Sequence, residues 1–188
     1  MRVLICDDSA LFRRGLALLL TDVGVEVAGQ TAGVEQLHTA VTAEPPTTVA
    51  ATATRIPLDL VRVEADGHTT WSAAHVVCRR SWWRGEVVLA MTAQYLGDHD
   101  VTPRGHPNDG KVDVLRVDPA MPARARWQAT RRARTATHLP HPQLAVRQLD
   151  GVELAFARPL HVWVDGSRWR TAEALCLTVE PDAYAAYV

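Results

Sequence analysis

The chain has no apolar run approaching the ~18–20 residues of a membrane-spanning helix, and Leu16 to Leu20 is short and flanked by charge. A spanning helix is therefore not expected. It has no CxxC pair: Cys6, Cys78 and Cys176 lie far apart, and their odd count argues against a disulfide framework and for a reducing cytoplasm. Each is read as a small buried apolar residue. The 11 glycines include no GxGxxG and no Walker loop, so the usual cradle of backbone N–H groups for nucleotide phosphates is missing. A secretory signal is not expected either, because Asp7 and Asp8 interrupt what would be its apolar core. The net charge of −1 argues neither for nor against nucleic acid, and no repeat recurs at a fixed period.

What is present suffices for a globular core, at 188 residues and 47% hydrophobic content. Residues 1–46 read as strand, helix, strand, helix. Val3 to Cys6 is a continuous apolar run, Ser9 caps a helix over Ala10 to Thr21, Val25 to Ala28 is a second strand, and Val34 to Ala43 a second helix. Residues 47–55, rich in Thr and Ala, lack core periodicity and form a linker. From residue 56 to 188 the pattern is strand-like. Leu58 to Val63 leads to the turn Ala65-Asp66-Gly67; Ala74 to Arg80 and Glu86 to Gln94 follow around a turn at Arg84-Gly85. Leu144 to Leu149, Leu160 to Val164 and Leu175 to Val179 resume the strands after one helix over Pro122 to Thr135. The expected class is mainly β: an antiparallel β-sandwich with one inserted helix, preceded by a partial α/β (βαβα) segment.

Pro103 to Leu115, PRGHPNDGKVDVL, is a turn that launches a strand. Asn108, Asp109 and Gly110 tolerate tight backbone geometry, and the two oxygen-bearing side chains suit a hard cation or a phosphate. Arg124, Arg126, Arg131, Arg132 and Arg134 with Trp127 make the inserted helix basic, a candidate surface for anionic lipid. His138 and His141 in THLPHP, with His106 and Asp109, are donors of the zinc type, but Pro140 and Pro142 favour an extended loop over an i, i+4 pair. Trp71, Trp82, Trp83, Trp163 and Trp169 read as core or edge packing, with the rings of Trp82 and Trp83 on opposite faces of a strand.

Two stretches resemble known families. MRVLICDDSALFRRGLALLLTDVGVEVAGQ resembles the opening of a response-regulator receiver domain, in which the acidic pair, here Asp7 and Asp8, holds magnesium beside a phospho-accepting aspartate. No Asp precedes Asp59 in TTVAATATRIPLDLV, and residues 1–46 are too short for the whole doubly wound domain. Ser81-Trp82-Trp83-Arg84-Gly85, VVLAMTAQYLGDHDVTPRGHPNDGKVDVL, RTATHLPHP and VWVDG are similar to the C-terminal half of diacylglycerol-kinase-type lipid kinases, of the NAD kinase/lipid kinase superfamily.

That second resemblance implies a C-terminal β-sandwich contributing to a lipid site. It implies a structural Mg2+ at Asn108 and Asp109, and Asp165, first residue of the family's DGE motif, as the general base toward the lipid hydroxyl. Ser167 stands where that motif has glutamate, and the family's GGDGT nucleotide loop is missing. The expectation is thus a lipid-kinase-like substrate or accessory domain, inactive alone, with ATP not binding to this chain by itself. Expected partners are a separate nucleotide-binding kinase domain, an anionic membrane surface met through Arg124, Arg131, Arg132 and Arg134, and a second copy of the chain; nucleic acid is not expected. The expected location is the cytoplasm, peripheral at the membrane. The alternative is a two-component signalling protein that docks a partner through its receiver-like segment.

Overall fold

A computed structural model of the chain describes residues 2–6, 26–31 and 55–187, with side chains for 56–184. Strand β1 (Arg2–Cys6) pairs in parallel with β2 (Glu26–Thr31), which lies slightly later than the expected Val25 to Ala28. The expected helices at Ala10 to Thr21 and Val34 to Ala43, residues 47–54 of the expected 47–55 linker, and Asp7 and Asp8 lie outside the described residues; Arg55, the last residue of that linker, already belongs to a strand.

The rest is an antiparallel sheet with one helix among the described residues. Its strands are β3 (Arg55–Ala65), β4 (His68–Ser72), β5 (His75–Arg79), β6 (Val87–Met91), β9 (Val112–Val117), β10 (Leu144–Leu149), β11 (Gly151–Val164) and β12 (Ser167–Tyr187). Strands β7 (Tyr95–Leu96) and β8 (His99–Asp100) form a separate small hairpin, and helix α1 spans Ala123–Ala133. The eight strands follow the order β10-β9-β6-β5-β11-β12-β3-β4. Val61 and Val63 from β3 share one core with Val88 and Ala90 from β6 and Val112 and Val114 from β9. Strands so far apart in the order meet because the sheet curls over itself into a sandwich. Register breaks in β11 between Ala155 and Leu160, and in β12 between Glu180 and Tyr184, interrupt the ladder around Pro159 and Pro181.

The continuous apolar runs have a direct physical reading. In β5, Val76 and Cys78 point into the sandwich while Val77 faces outward; in β6, Val88 and Ala90 point in, and Val87, Leu89 and Met91 out. Strands buried on both faces have no need of alternation. The outward residues build a second core with Leu115 and Val101, under α1 and the β7–β8 hairpin.

The expected helix and the Leu144 to Leu149 strand are present, whereas β4 and the β7–β8 hairpin lie outside the expected strands, and β11 and β12 extend well beyond Leu160 to Val164 and Leu175 to Val179. Trp82 and Trp83 do not lie on a strand: they sit in the loop between β5 and β6, and both rings are exposed. A loop frees neighbouring side chains from the two-face alternation that placed one ring on each side. Cys78 is buried and Cys176 half-buried, both free thiols; burial, then Glu86, pushes the Cys78 thiol up to about 12.

Candidate ligand pocket

Between α1 and the outer faces of β6 and β9 lies a pocket of about 360 Å³. Val87 and Leu89 of β6 and Leu115 and Val117 of β9 face Ala129, Thr130 and Ala133 of α1 across it, with Met121, Leu96, Val101 and Leu144 completing apolar walls. Trp82 and Trp83 line it from the β5–β6 loop, and His99, Arg126 and His138 bring the polar atoms. The size and apolar lining with few polar groups are those of a small-ligand site.

Helix α1 is held over this face by Arg126, which sequence placed among the basic surface residues. Its side chain is buried, donating from Nε to Met121 O (3.0 Å), from Nη1 to Trp82 O (3.2 Å), and from Nη2 to Gly85 O (2.6 Å) and Asp118 O (3.0 Å). Burial pulls its pKa below the ordinary arginine value, partly offset by Asp118. Arg126 thus binds the helix to the Trp82–Gly85 loop and is withdrawn from any surface anion site. Arg124, Arg131, Arg132 and Arg134 remain exposed on α1; Arg131 stacks over Trp127, itself 49% exposed, and Arg134 pairs with Asp98 at 3.1 Å.

His138 is buried beside the pocket, its Nε2 3.0 Å from Val101 O. A carbonyl only accepts, so Nε2 carries the proton and Nδ1, which has no partner, is the bare acceptor. Burial holds its pKa below the ordinary value, opposed by the Val101 carbonyl and Asp100. His141 Nδ1 accepts from Gln143 N, and His106 is not gathered with these residues: no group of three or more His, Cys, Asp or Glu converges on a metal among the described residues.

Asp109, expected at a magnesium site with Asn108, spends Oδ1 on Lys111 N (3.0 Å) and Oδ2 on Gln148 Nε2 (2.8 Å). Both bonds lie at the exposed surface of the turn. The turn is anchored instead by Asp59, buried on β3, whose Oδ2 accepts from Gly110 N (2.7 Å) and Oδ1 from Asp182 N (2.9 Å). Asp59 was not singled out from sequence, because its partners lie in the turn and in β12. Asp113, beneath the same turn, is buried; burial and then Asp109 raise its pKa, against Lys111.

Asp165, the expected general base, sits at the β11–β12 turn with φ 44°. Its Oδ1 accepts from Ser72 Oγ (3.0 Å), Ala74 N (3.0 Å) and His75 N (2.8 Å), and its Oδ2 from Ala73 N (2.8 Å). The carboxylate clasps the β4–β5 turn through these four bonds, three of them to Oδ1.

The architecture and the helix-covered pocket define a mainly antiparallel β-sandwich protein. Among solved structures, a diacylglycerol kinase from Bacillus anthracis str. Sterne has a TM-score of 0.54 at 10% identity, covering 98% of this chain and 75% of its own. Two further structures of a diacylglycerol kinase candidate from the same organism, each at 12% identity, have TM-scores of 0.43 and 0.42 and cover 81% of this chain and 44% of theirs. The first likeness shows a shared fold. No family model and no curated protein matches the chain. Among the described residues no helix is long and apolar enough to cross a membrane.

Proposed function

We propose that this chain is the lipid-binding half of a lipid-kinase-like system, taking the apolar part of a glycerolipid into the pocket beneath α1. The pocket carries the reading: about 360 Å³ of apolar lining, opened beside exposed Trp82 and Trp83, on a fold shared with a diacylglycerol kinase structure. Exposed Trp127 and the guanidiniums of Arg124, Arg131 and Arg132 suit an anionic interface, aromatic rings at headgroup level and cations against phosphates. Without a glycine-rich phosphate loop in its sequence, the chain depends on a separate nucleotide-binding domain for phosphoryl transfer.

Binding of diacylglycerol in vesicles, followed by tryptophan emission, tests this. Ala129→Trp fills the pocket from α1 and is expected to weaken diacylglycerol-dependent binding about tenfold, with an unchanged circular-dichroism spectrum. Charge reversal at Arg131 and Arg132 is expected to reduce binding to anionic vesicles alone. No diacylglycerol-dependent emission change, or none removed by Ala129→Trp, would overturn the reading.

A further inference from the structure

Beyond α1, a second basic cluster lies on the outer side of the sheet where β5, β11 and β12 run side by side. Register places His161 directly opposite Arg79 on one neighbour and Thr171 on the other, and Trp163 opposite Arg168 and Val77. These residues share the face of the second core. Arg168 Nη2 lies 3.0 Å and Thr171 Oγ1 2.9 Å from His161 Nδ1. A guanidinium only donates, so Nδ1 accepts and Nε2 carries the ring proton, a neutral donor.

Arg79 is fixed between two rings, its Cζ 4.4 Å from the Trp82 centroid and 5.2 Å from that of Trp163. Stacking immobilises the guanidinium plane and leaves its N–H edge to meet an oxyanion. Arg80 and Arg168 are exposed. Among the described residues, none of Arg79, Arg80 and Arg168 lies within ion-pair distance of a carboxylate. Burial, then Arg168, Arg80 and Arg79, holds His161 below the ordinary histidine pKa, so the surrounding field is positive. Arg79 and Arg168, both beside His161 and neither within ion-pair distance of a carboxylate, repel one another, and a bound anion relieves that repulsion.

We propose that this face binds an oxyanion of the phosphate class between Arg79 and Arg168, with His161 Nε2–H as a further donor and Arg80, next in the chain to Arg79, adding positive charge nearby. Trp82 lines the apolar pocket and also stacks on Arg79, so the anion site adjoins the pocket. A free phosphate and the phosphate headgroup of an amphiphile share this chemistry. The site stands without the lipid reading of the pocket.

Inorganic phosphate titrated into the full chain, with His161 followed by NMR, is the test. Bound phosphate favours imidazolium and is expected to raise the His161 pKa. The double substitution Arg80→Glu with Arg168→Glu is expected to weaken phosphate binding about tenfold while the melting curve stays put, since both side chains are exposed. Ala129→Trp should leave phosphate binding intact, which separates this site from the pocket. Vesicles of phosphatidate against vesicles of neutral lipid distinguish the sources: preferential binding lost in the double variant assigns a headgroup, and phosphate binding without that preference assigns a soluble ligand. A His161 titration that phosphate does not move, or phosphate binding that the double variant retains in full, overturns the site.

Discussion

Arg126 and Arg124 are two residues apart in one basic stretch and have opposite fates. Arg124 is exposed, whereas Arg126 satisfies carbonyls of Met121, Trp82, Gly85 and Asp118. Arg126→Met is expected to lower unfolding stability by about 3 kcal/mol, because several buried carbonyls lose their donor at once. Arg124→Met should stay within about 0.5 kcal/mol, as surface changes do; denaturant melts of the two compare them. His138 carries the pH dependence at this scale. Its folded pKa lies below the ordinary 6.5, so its neutral form is favoured by folding. That contribution is present above pH ~6.5 and is lost as pH falls below it, since the unfolded chain binds the extra proton. His138→Gln, which keeps a donor for Val101 O, is expected to flatten the stability slope below that pH in thermal melts.

At the scale of elements, carboxylates join turns that are remote in sequence. Asp59 on β3 holds Gly110 in the turn before β9 and Asp182 in the interruption of β12. Gly110 adopts φ 69° with Pro181 3.6 Å from where a Cβ would stand, so the two segments are locked by contact as well. Asp59→Ala is expected to cost about 2–4 kcal/mol by leaving two N–H groups without their acceptor. Amide exchange should speed up at Gly110 and Asp182 together; acceleration at only one of them would contradict the clasp. None of this was legible beforehand, because Asp59 reads as one polar position in RIPLDLVRV and its partners are 51 and 123 residues away. The same blindness concealed β4: HTTWS carries neither alternation nor an apolar run, and its place as an edge strand comes from pairing with β3.

For the whole molecule, the mainly β class and the inserted helix were readable because VVLAM and LAVRQL are unmistakable strand stretches and ARARWQATRRA has no breaker. The pocket was not. It arises from pairing the outward residues of β6 and β9 with Ala129 and Ala133, small side chains that leave space beneath α1 and carry no sequence signature of doing so. The anion site was hidden for a related reason: Arg79, His161, Thr171 and Arg168 become neighbours only through the β5–β11–β12 register.

The pairing of β3 with β12, in which Val61 meets Val179 and Val63 meets Leu177, also sets an order of events during synthesis. On the ribosome β3 emerges before every other strand of the sandwich, yet its main hydrogen-bonding neighbour is made after all of them. Until Val179 clears the exit tunnel, Val61 and Val63 have only β4 beside them, a two-strand ribbon too small to be stable alone. The sandwich therefore closes late, by a long-range step, while the doubly buried β5 and β6 can pair as soon as both have been made.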